Sequence, residues 1–178
     1  IFMRIIQLVA ILFTLRFEMT IDGDLYRKVL GRYPTGVTLV TGIDNDEPLA
    51  IVIGSFTSVS MDPPLVGFFI GTGSQTWKRI EKSGSFCVNV LTDQQVELSN
   101  GFFRKEGDPW EGTGWEPASS GSPMIPSCLA NIDCSIHEVT EAGDHFFVSG
   151  LVKEAIHNDN GSPLVFLGGS YGQFKGVS

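Results

Sequence analysis

The sequence is poor in basic residues and cysteines. Its 178 residues hold 12 Lys and Arg against 20 Asp and Glu, which gives a formal net charge of −8. This negative charge repels a phosphate backbone, so we expect no nucleic-acid partner. The three cysteines, Cys87, Cys128 and Cys134, form no CxxC pair. Their number and spacing argue against a structural zinc site or a disulfide framework and favour a cytoplasmic location.

Long apolar runs are also missing. The apolar run over residues 5–15 is shorter than the ~20 residues that a membrane helix needs. It resembles the apolar part of a signal peptide, but no small-residue cleavage site follows it. We interpret residues 1–18 as a non-native or leader extension and residues 19–178 as one domain, and we expect no membrane association. A cleavable signal and a helix packed on the domain are the alternatives.

Several catalytic and metal-binding signatures fail. Gly71-Thr72-Gly73 begins like a dinucleotide-binding turn, but Thr76 stands where the third glycine belongs. The sequence has no P-loop and no GxSxG motif. Cys87 lies in an apolar segment, which predicts a core residue rather than a nucleophile. The three histidines, His137, His145 and His157, are spread over predicted hairpin ends, so no metal site is expected.

What is present is a series of short β-branched and aromatic segments separated by turns. Gly (21) and Phe (13) are abundant, as expected of an aromatic β core with tight turns. The patterns predict strands over residues 36–42, 49–53, 65–70, 86–91, 129–139, 145–155 and 164–167. They predict helices over 22–33, 74–82 and 93–103, turns at 44–48, 141–144 and 158–161, and a long loop over 105–122. This order indicates a mostly antiparallel closed sheet, a small barrel with a few peripheral helices.

Two segments carry chemistry. Residues 55–64, SFTSVSMDPP, place four hydroxyls beside one aromatic ring between two predicted strands. Hydroxyls and extended backbone N–H groups suit a flat heteroaromatic ring, although a Ser/Thr-rich turn would show the same pattern. Residues 74–77, SQTW, open a predicted helix beside Lys78 and Arg79. That arrangement suits a phosphate, and an ordinary capped helix is the alternative.

The two segments together resemble the flavin reductase family, the reductase components of two-component flavin-dependent aromatic monooxygenases. The resemblance covers nearly all of residues 22–175 and rests on the order of six blocks: LGRYPTGVT (30–38), SFTSVSMDPPLV (55–66), SGSFCVNVL (83–91), GSPMI (121–125), GDHFFVSG (143–150) and PLVF (163–166). It implies an antiparallel split β-barrel of the Greek-key, FMN-binding type. It also implies an NAD(P)H:flavin oxidoreductase that reduces FMN or FAD with NADH or NADPH. A homodimer and a partner monooxygenase are implied as well.

The resemblance also implies the site residues. The flavin would be lined by Thr35 and by a loop of six residues, Ser55, Phe56, Thr57, Ser58, Val59 and Ser60. Its phosphate side would be held by Ser74, Gln75, Thr76 and Trp77, while Asn89 would support the pocket. The nicotinamide pocket would be bordered by Gly143, Asp144 and His145, with Tyr171 nearby. His145 would be the catalytic contact, stacking on or hydrogen-bonding the nicotinamide.

Some alternatives stay open. Ile53-Gly54 stands where many members have a small residue and Asn, and Glu141 and Gly168 replace a basic residue and a second His. These departures leave the choice between NADH and NADPH open. A flavin-binding carrier or sensor without turnover, or an oxidoreductase of the same fold that acts on a bound corrin or quinone, would share the pattern. The 105–122 loop, with Trp110 and Trp115, would shape the pocket or merely cover the core.

Overall fold

The structure is a computed structural model that describes residues 21–104, 107–159 and 161–177. It divides after Tyr33 into two compact units. The first unit contains helix α1 (Gly23–Leu30), which begins where the Asp22 carboxylate accepts a hydrogen bond from the Leu25 N–H, 2.9 Å away. The predicted helix and its cap are therefore confirmed. The expectation for residues 1–18 lies outside the described residues.

The second unit, residues 34–178, is built mainly from antiparallel strands. In chain order its elements are β1 (Thr35–Gly36), β2 (Thr38–Asp44), β3 (Glu47–Ile53), β4 (Thr57–Met61), β5 (Pro64–Gly71), α2 (Gln75–Ile80), a 3₁₀ turn (Glu81–Ser83), β6 (Ser85–Val90), a 3₁₀ turn (Asp93–Gln95), α3 (Val96–Gly101), β7 (Glu116–Pro117), β8 (Pro123–Met124), β9 (Ala130–Ala142), β10 (His145–His157), β11 (Leu164–Leu167) and β12 (Ser170–Gln173). Seven strands form one sheet in the order β3-β2-β6-β9-β10-β5-β4. A three-stranded sheet, β1-β11-β12, and the pair β7-β8 complete the unit.

Residues that tolerate a positive φ close the β2–β3 and β9–β10 hairpins. Asn45 and Asp46, both with positive φ, close the β2–β3 hairpin, and short polar residues tolerate that conformation. Gly143, at φ 68°, closes the hairpin between the 13-residue strands β9 and β10. The predicted turns at 44–48 and 141–144 are therefore confirmed, and each is tighter than expected because the flanking strands run further.

Two buried hydrophobic clusters lie on opposite faces of β2, since Val40 belongs to the larger cluster and Leu39 to the smaller one. Phe68 packs edge-to-face against both Trp77 and Phe86, with ring centroids 5.6 and 5.4 Å apart, and all three side chains are buried. Such aromatic pairs add stabilisation beyond the apolar area they bury. α2 therefore covers the sheet through Trp77, while its Ser74 cap accepts a hydrogen bond from the Trp77 N–H.

Three expectations about the sheet are wrong in detail. The described residues show no ladder between the edge strands β3 and β4, so the barrel is split rather than closed. The hairpin expected between β10 and β11 is wrong, because β11 pairs with β1 and β12 instead of β10. Four of the observed strands were not predicted: β4 within the expected hydroxyl-rich loop, the two-residue strands β7 and β8, and β12 at the C-terminal end. No helix in the described part of the chain has the length and apolarity to span a bilayer.

Candidate functional site

A cavity opens beside the three-stranded sheet, and its first wall comes from one row of side chains. Thr35 on β1 lies opposite Phe166 on β11, and Phe166 lies opposite Tyr171 on β12. Residues directly opposite in an antiparallel ladder project from the same face. The Phe166 and Tyr171 rings pack edge-to-face with centroids 5.4 Å apart. The strand register thus brings Thr35 into one row with two side chains near the C-terminal end of the chain.

The rest of the cavity comes from β3 and α3. The Tyr171 hydroxyl lies 2.8 Å from the Ser99 Oγ, which ties the row to α3. The cavity measures about 520 Å³ and is lined by Thr35, Val37, Val52, Gly54, Asn100, Phe103, Phe166, Gly169 and Tyr171. None of these lining residues carries a formal charge. A mostly apolar, uncharged cavity of this size suits a flat ring better than a phosphate.

The SFTSVS segment begins next to this cavity and continues as an edge strand. Immediately after Gly54, the Ser55 hydroxyl accepts a hydrogen bond from the Phe69 N–H at 2.9 Å and donates to the Phe69 carbonyl at 3.1 Å. The Phe56 side chain then packs against the main core. β4 follows and pairs with β5 on one side only. The expected loop is therefore mainly strand, and its Ser and Thr residues lie along a sheet edge.

The turn between β9 and β10 meets the segment between β5 and α2. His145 lies opposite Gly71, where the β10–β5 ladder ends. The Thr72 N–H and hydroxyl both donate to the Asp144 carbonyl, at 3.0 and 3.2 Å. The residues predicted for the nicotinamide side and those predicted for the phosphate side are therefore neighbours. Among the described residues, Tyr171 lines the cavity but Gly143, Asp144 and His145 do not.

His145 is held by the residue before it. Its Nδ1 lies 2.7 Å from an Asp144 carboxylate oxygen, and both side chains are exposed. The hydrogen bond from His145 lowers the pKa of the Asp144 carboxyl, and the attraction between the two groups adds to this effect. A carboxylate that accepts the Nδ1–H leaves Nε2 as the ring nitrogen free to meet a ligand. The pair can therefore orient an imidazole at the end of the sheet.

The predicted phosphate segment has less free charge than its sequence suggests. The Trp77 side chain is 1% exposed, so it faces the core and not a ligand. The Arg79 guanidinium forms ion pairs with Asp44 at 2.7 Å and Glu47 at 2.5 Å. The hydrogen bond from Arg79 lowers the pKa of the Glu47 carboxyl. Arg79 is thus already paired, and the exposed Lys78 is the other cation that this segment offers.

Asn89 lies in the core rather than on the cavity wall. Its Nδ2 donates to the Leu39 carbonyl and the Thr41 hydroxyl, each at 3.1 Å. Its Oδ1 accepts from the Ile125 N–H and the Asn131 amide, each at 2.8 Å. Asn89 therefore fastens the segment after the long loop to β2 and β9. Asn89 would therefore support the site indirectly, by holding these segments of the core together.

A second cavity, of about 430 Å³, lies near the start of β3. It is lined by Glu47, Pro48, Leu49, Ala50, Thr76, Phe102, Asp108, Pro109 and Trp110. The Trp110 indole N–H donates to the Pro48 carbonyl at 3.1 Å, and the Trp110 ring packs edge-to-face on Phe102. The long loop therefore does shape a cavity, and Thr76 is the predicted site residue that lines it.

The cysteines offer no nucleophile. Burial raises the pKa of each of the three thiols, Cys87, Cys128 and Cys134, to about 12. A buried thiol with such a pKa stays protonated and unreactive at neutral pH. The prediction that Cys87 is a core residue is confirmed. The described residues contain no group of three side chains placed to hold a metal ion.

Sequence reasoning found two residues of the first cavity, Thr35 and Tyr171. It missed the others, among them Gly54, Asn100 and Phe166. The two-residue spacing of Val52 in β3 and Gly54 just after it was an available signal. The β1–β11 pairing had no local signal, since it joins residues more than a hundred positions apart. By contrast, β11 and β12 are neighbours along the chain, joined by the turn at Gly168-Gly169.

Comparison with known proteins places this geometry among flavin enzymes. A family model described as "Flavin reductase like domain" matches residues 30–175. A flavin reductase from Pseudomonas putida is 45% identical over 158 residues, which are 88% of this chain and 93% of that protein. The reductase subunit HsaB of a flavin-dependent monooxygenase from Mycobacterium tuberculosis is 42% identical and covers 85% of this chain and 82% of its own.

A solved structure agrees with these relatives. The crystal structure of nitrilotriacetate monooxygenase component B from Mycobacterium thermoresistibile superposes with a TM-score of 0.84 at 40% identity. The match covers 86% of this chain and 87% of that one. The split-barrel fold is therefore shared over almost the whole of both chains.

Proposed function

Because the chain belongs to the flavin reductase family, we propose that it is an NAD(P)H:flavin oxidoreductase that supplies reduced FMN or FAD to a partner monooxygenase. The observation that carries the proposal is the uncharged cavity between the Thr35–Phe166–Tyr171 row and β3. Three aromatic rings and apolar side chains form its walls. A few polar groups near its rim suit a flat ring with a polar edge.

The residues present fit the ring of a flavin. When bound, a flavin accepts a hydride at N5 from C4 of the nicotinamide, and this chemistry needs no protein nucleophile. Phe166 and Tyr171 provide surfaces on which a flat ring can pack. Thr35 offers a hydroxyl, and the backbone of the Ser55–Ser60 segment offers N–H groups that stabilise negative charge on a reduced ring. The protein's residues therefore have to hold the flavin ring, orient it towards the nicotinamide and keep water away from both.

His145 is the residue that we assign to the nicotinamide. Gly54 lines the cavity and Ser55 follows it, bonded to the Phe69 backbone on β5. Phe69 lies opposite Phe147, and His145 is two residues further along β10. This series of backbone contacts connects the cavity-lining segment to the strand that carries His145, which supports the assignment. Correct placement of two reacting atoms can remove several kcal/mol from a barrier.

We further propose a homodimer, formed through the exposed face beside this site. Val59 and Phe69 are 44% and 42% exposed, and Phe69 packs on Phe147 with ring centroids 5.1 Å apart. β4 leaves one edge without a ladder partner among the described residues. Apolar side chains beside an open edge favour association. Phe69→Glu should yield a monomer in light scattering, whereas Phe174→Glu, at another exposed aromatic, should not.

The assay for the function is direct. Purified protein is mixed with NADH or NADPH and with FMN or FAD, and loss of the nicotinamide absorbance is followed. Rapid oxidation that depends on added flavin supports the reductase. Tight yellow protein without turnover would support a flavin carrier instead, and turnover only with a corrin or quinone would support the third alternative. The same assay compares FMN with FAD and NADH with NADPH.

The role of His145 has its own test, with a matched control on the same strand. His145 and His157 stand at the two ends of β10, and each contacts a nearby aspartate through Nδ1. We expect His145→Ala to raise the KM for NAD(P)H severalfold and to leave flavin affinity unchanged, while His157→Ala changes neither. Equal kinetics for the two variants, or loss of flavin binding alone in His145→Ala, would remove His145 from this role.

The state of the cysteines bears on the cellular location of the protein. We propose a cytoplasmic location, supported by three unpaired cysteines in the described residues.

A further inference from the structure

Gly54, one of the residues that line the cavity, lies against the Thr35 hydroxyl, the one lining hydroxyl without a partner within the described ranges. A Cβ added at Gly54 would lie 3.0 Å from the Thr35 Oγ1, and its next neighbours would be 3.7 Å or more away. The first contact is tighter than ordinary packing, and the others are not. The backbone at Gly54 lies outside the left-handed region, so an alanine there meets only this hydroxyl.

The other polar side chains of the cavity are already engaged. The Tyr171 hydroxyl is bonded to Ser99, and the Asn100 amide donates to Glu97. By contrast, no described residue forms a hydrogen bond with the Thr35 hydroxyl. A half-buried hydroxyl that finds no protein partner is available to a ligand as donor and acceptor. Thr35 is therefore the group in this cavity best placed to fix the orientation of a bound ring.

We propose that Gly54 is a specificity-determining position, because its missing side chain leaves the Thr35 hydroxyl free to hydrogen-bond the polar edge of a flat heteroaromatic ring in the cavity. Taken with the proposed function, on which this step rests, that ring is the isoalloxazine. Gly54 acts through Thr35 and does not touch the ring's polar edge itself. A Cβ at position 54 would crowd the hydroxyl at 3.0 Å and so disturb the rotamer that offers it to the ring.

A double-mutant cycle tests the coupling between the two residues. The probe is riboflavin, which carries no phosphate and so reports on the ring alone, and its binding is followed by quenching of its fluorescence. Loss of one neutral hydrogen bond should weaken binding about fivefold in Thr35→Ala. Gly54→Ala should weaken binding by a similar factor. In the double variant the Oγ1 is absent, so Gly54→Ala should add no further loss.

Three controls sharpen the result. Thr35→Ser keeps the hydroxyl and should restore most of the affinity. Gly36→Ala, in the neighbouring strand position where an added Cβ meets nothing within 4 Å, should bind as the wild type does. In turnover assays, Gly54→Ala should raise the KM for flavin and leave the KM for NADH unchanged. Melting temperatures verify that every variant is folded. Loss of the fold in Gly54→Ala would also overturn the inference, because a Cβ that crowds only the Thr35 hydroxyl should be tolerated.

The outcomes separate this inference from the proposed function. Additive losses in the double variant, or equal binding by Gly54→Ala and Gly36→Ala, would overturn the inference while flavin reduction by the wild type stands. Coupled losses in a protein that binds riboflavin but never oxidises NAD(P)H would overturn the proposed function and leave the inference standing. A wild type that does not bind riboflavin would overturn both.

Discussion

The packing around Gly150 gives the sharpest stability prediction, because an alanine there has no room. A Cβ at this buried β10 position would overlap the Phe86 ring and lie 2.9 Å from the Cys134 Cβ. Phe86 cannot turn aside freely, since it packs edge-to-face on Phe68, which packs in turn on Trp77. The strain of Gly150→Ala therefore spreads through a locked aromatic cluster.

The size of the effect follows from two opposing contributions. Overpacking a well-filled core costs about 3 kcal/mol when the neighbours are constrained. Replacing glycine with alanine also restricts the unfolded chain, which returns about 0.5–1 kcal/mol. The net loss should be about 2 kcal/mol, which lowers the melting temperature of a unit of this size by about 4–8 °C. Thermal unfolding followed by circular dichroism measures it.

A matched glycine and a compensating change make the prediction refutable. Gly172→Ala, in β12, adds a Cβ that meets nothing within 4 Å, so its melting temperature should not fall. Phe86→Leu removes part of the ring that the new methyl would strike. It should therefore cost less in the Gly150→Ala background than in the wild type. Coincident melts for the two alanine variants, or purely additive losses in the double variant, would refute the packing argument.

Three further predictions concern the core network, the thiols and an ion pair. Asn89→Ala should lower the free energy of unfolding by about 3 kcal/mol, because it leaves the buried Ile125 N–H and other groups without a hydrogen-bond partner. Denaturant titration measures this loss, and the control variant Gln94→Ala should stay within about 0.5 kcal/mol of the wild type. The three cysteines should not react with Ellman's reagent at pH 8 in the native state, because burial raises their pKa to about 12. In denaturant they should react at once, and fast labelling of the native protein would contradict their burial. The Arg79 hydrogen bond lowers the Glu47 pKa, so its stabilisation is present above the ordinary value of 4.5 and is lost as the pH falls through the folded value. Melting curves between pH 7 and 3 should therefore show a shallower acid loss in Glu47→Gln, and identical slopes would contradict the pairing.

Local sequence was enough for features that depend on neighbours along the chain. Asp22 and Ser74 cap helices where their side chains accept backbone hydrogen bonds three residues on. The Asn45-Asp46 turn adopts the positive φ values that such residues tolerate. These features need only the identity and order of a few adjacent residues, so the amino-acid sequence alone predicts each of them.

Features that depend on pairing between distant strands could not be predicted in this way. The segment at 158–161 has good hairpin chemistry, yet the next strand leaves the sheet to pair with β1. A turn pattern predicts that the chain reverses direction locally, but it does not determine which strand the following segment pairs with. For the same reason the free Arg79 expected beside the phosphate segment is engaged by Asp44 and Glu47, which belong to a different hairpin.

The position of Tyr171 shows what this means for the site. Its sequence neighbours place it in a C-terminal segment, and resemblance alone grouped it with Gly143–His145. The β11–β12 register instead sets it opposite Phe166, which is itself opposite Thr35. A shift of that register by one residue would turn the whole row to the other face and abolish the cavity wall. The wall is therefore a property of the pairing between β1, β11 and β12, and a substitution that loosens this small sheet should weaken ring binding even when it touches no lining residue.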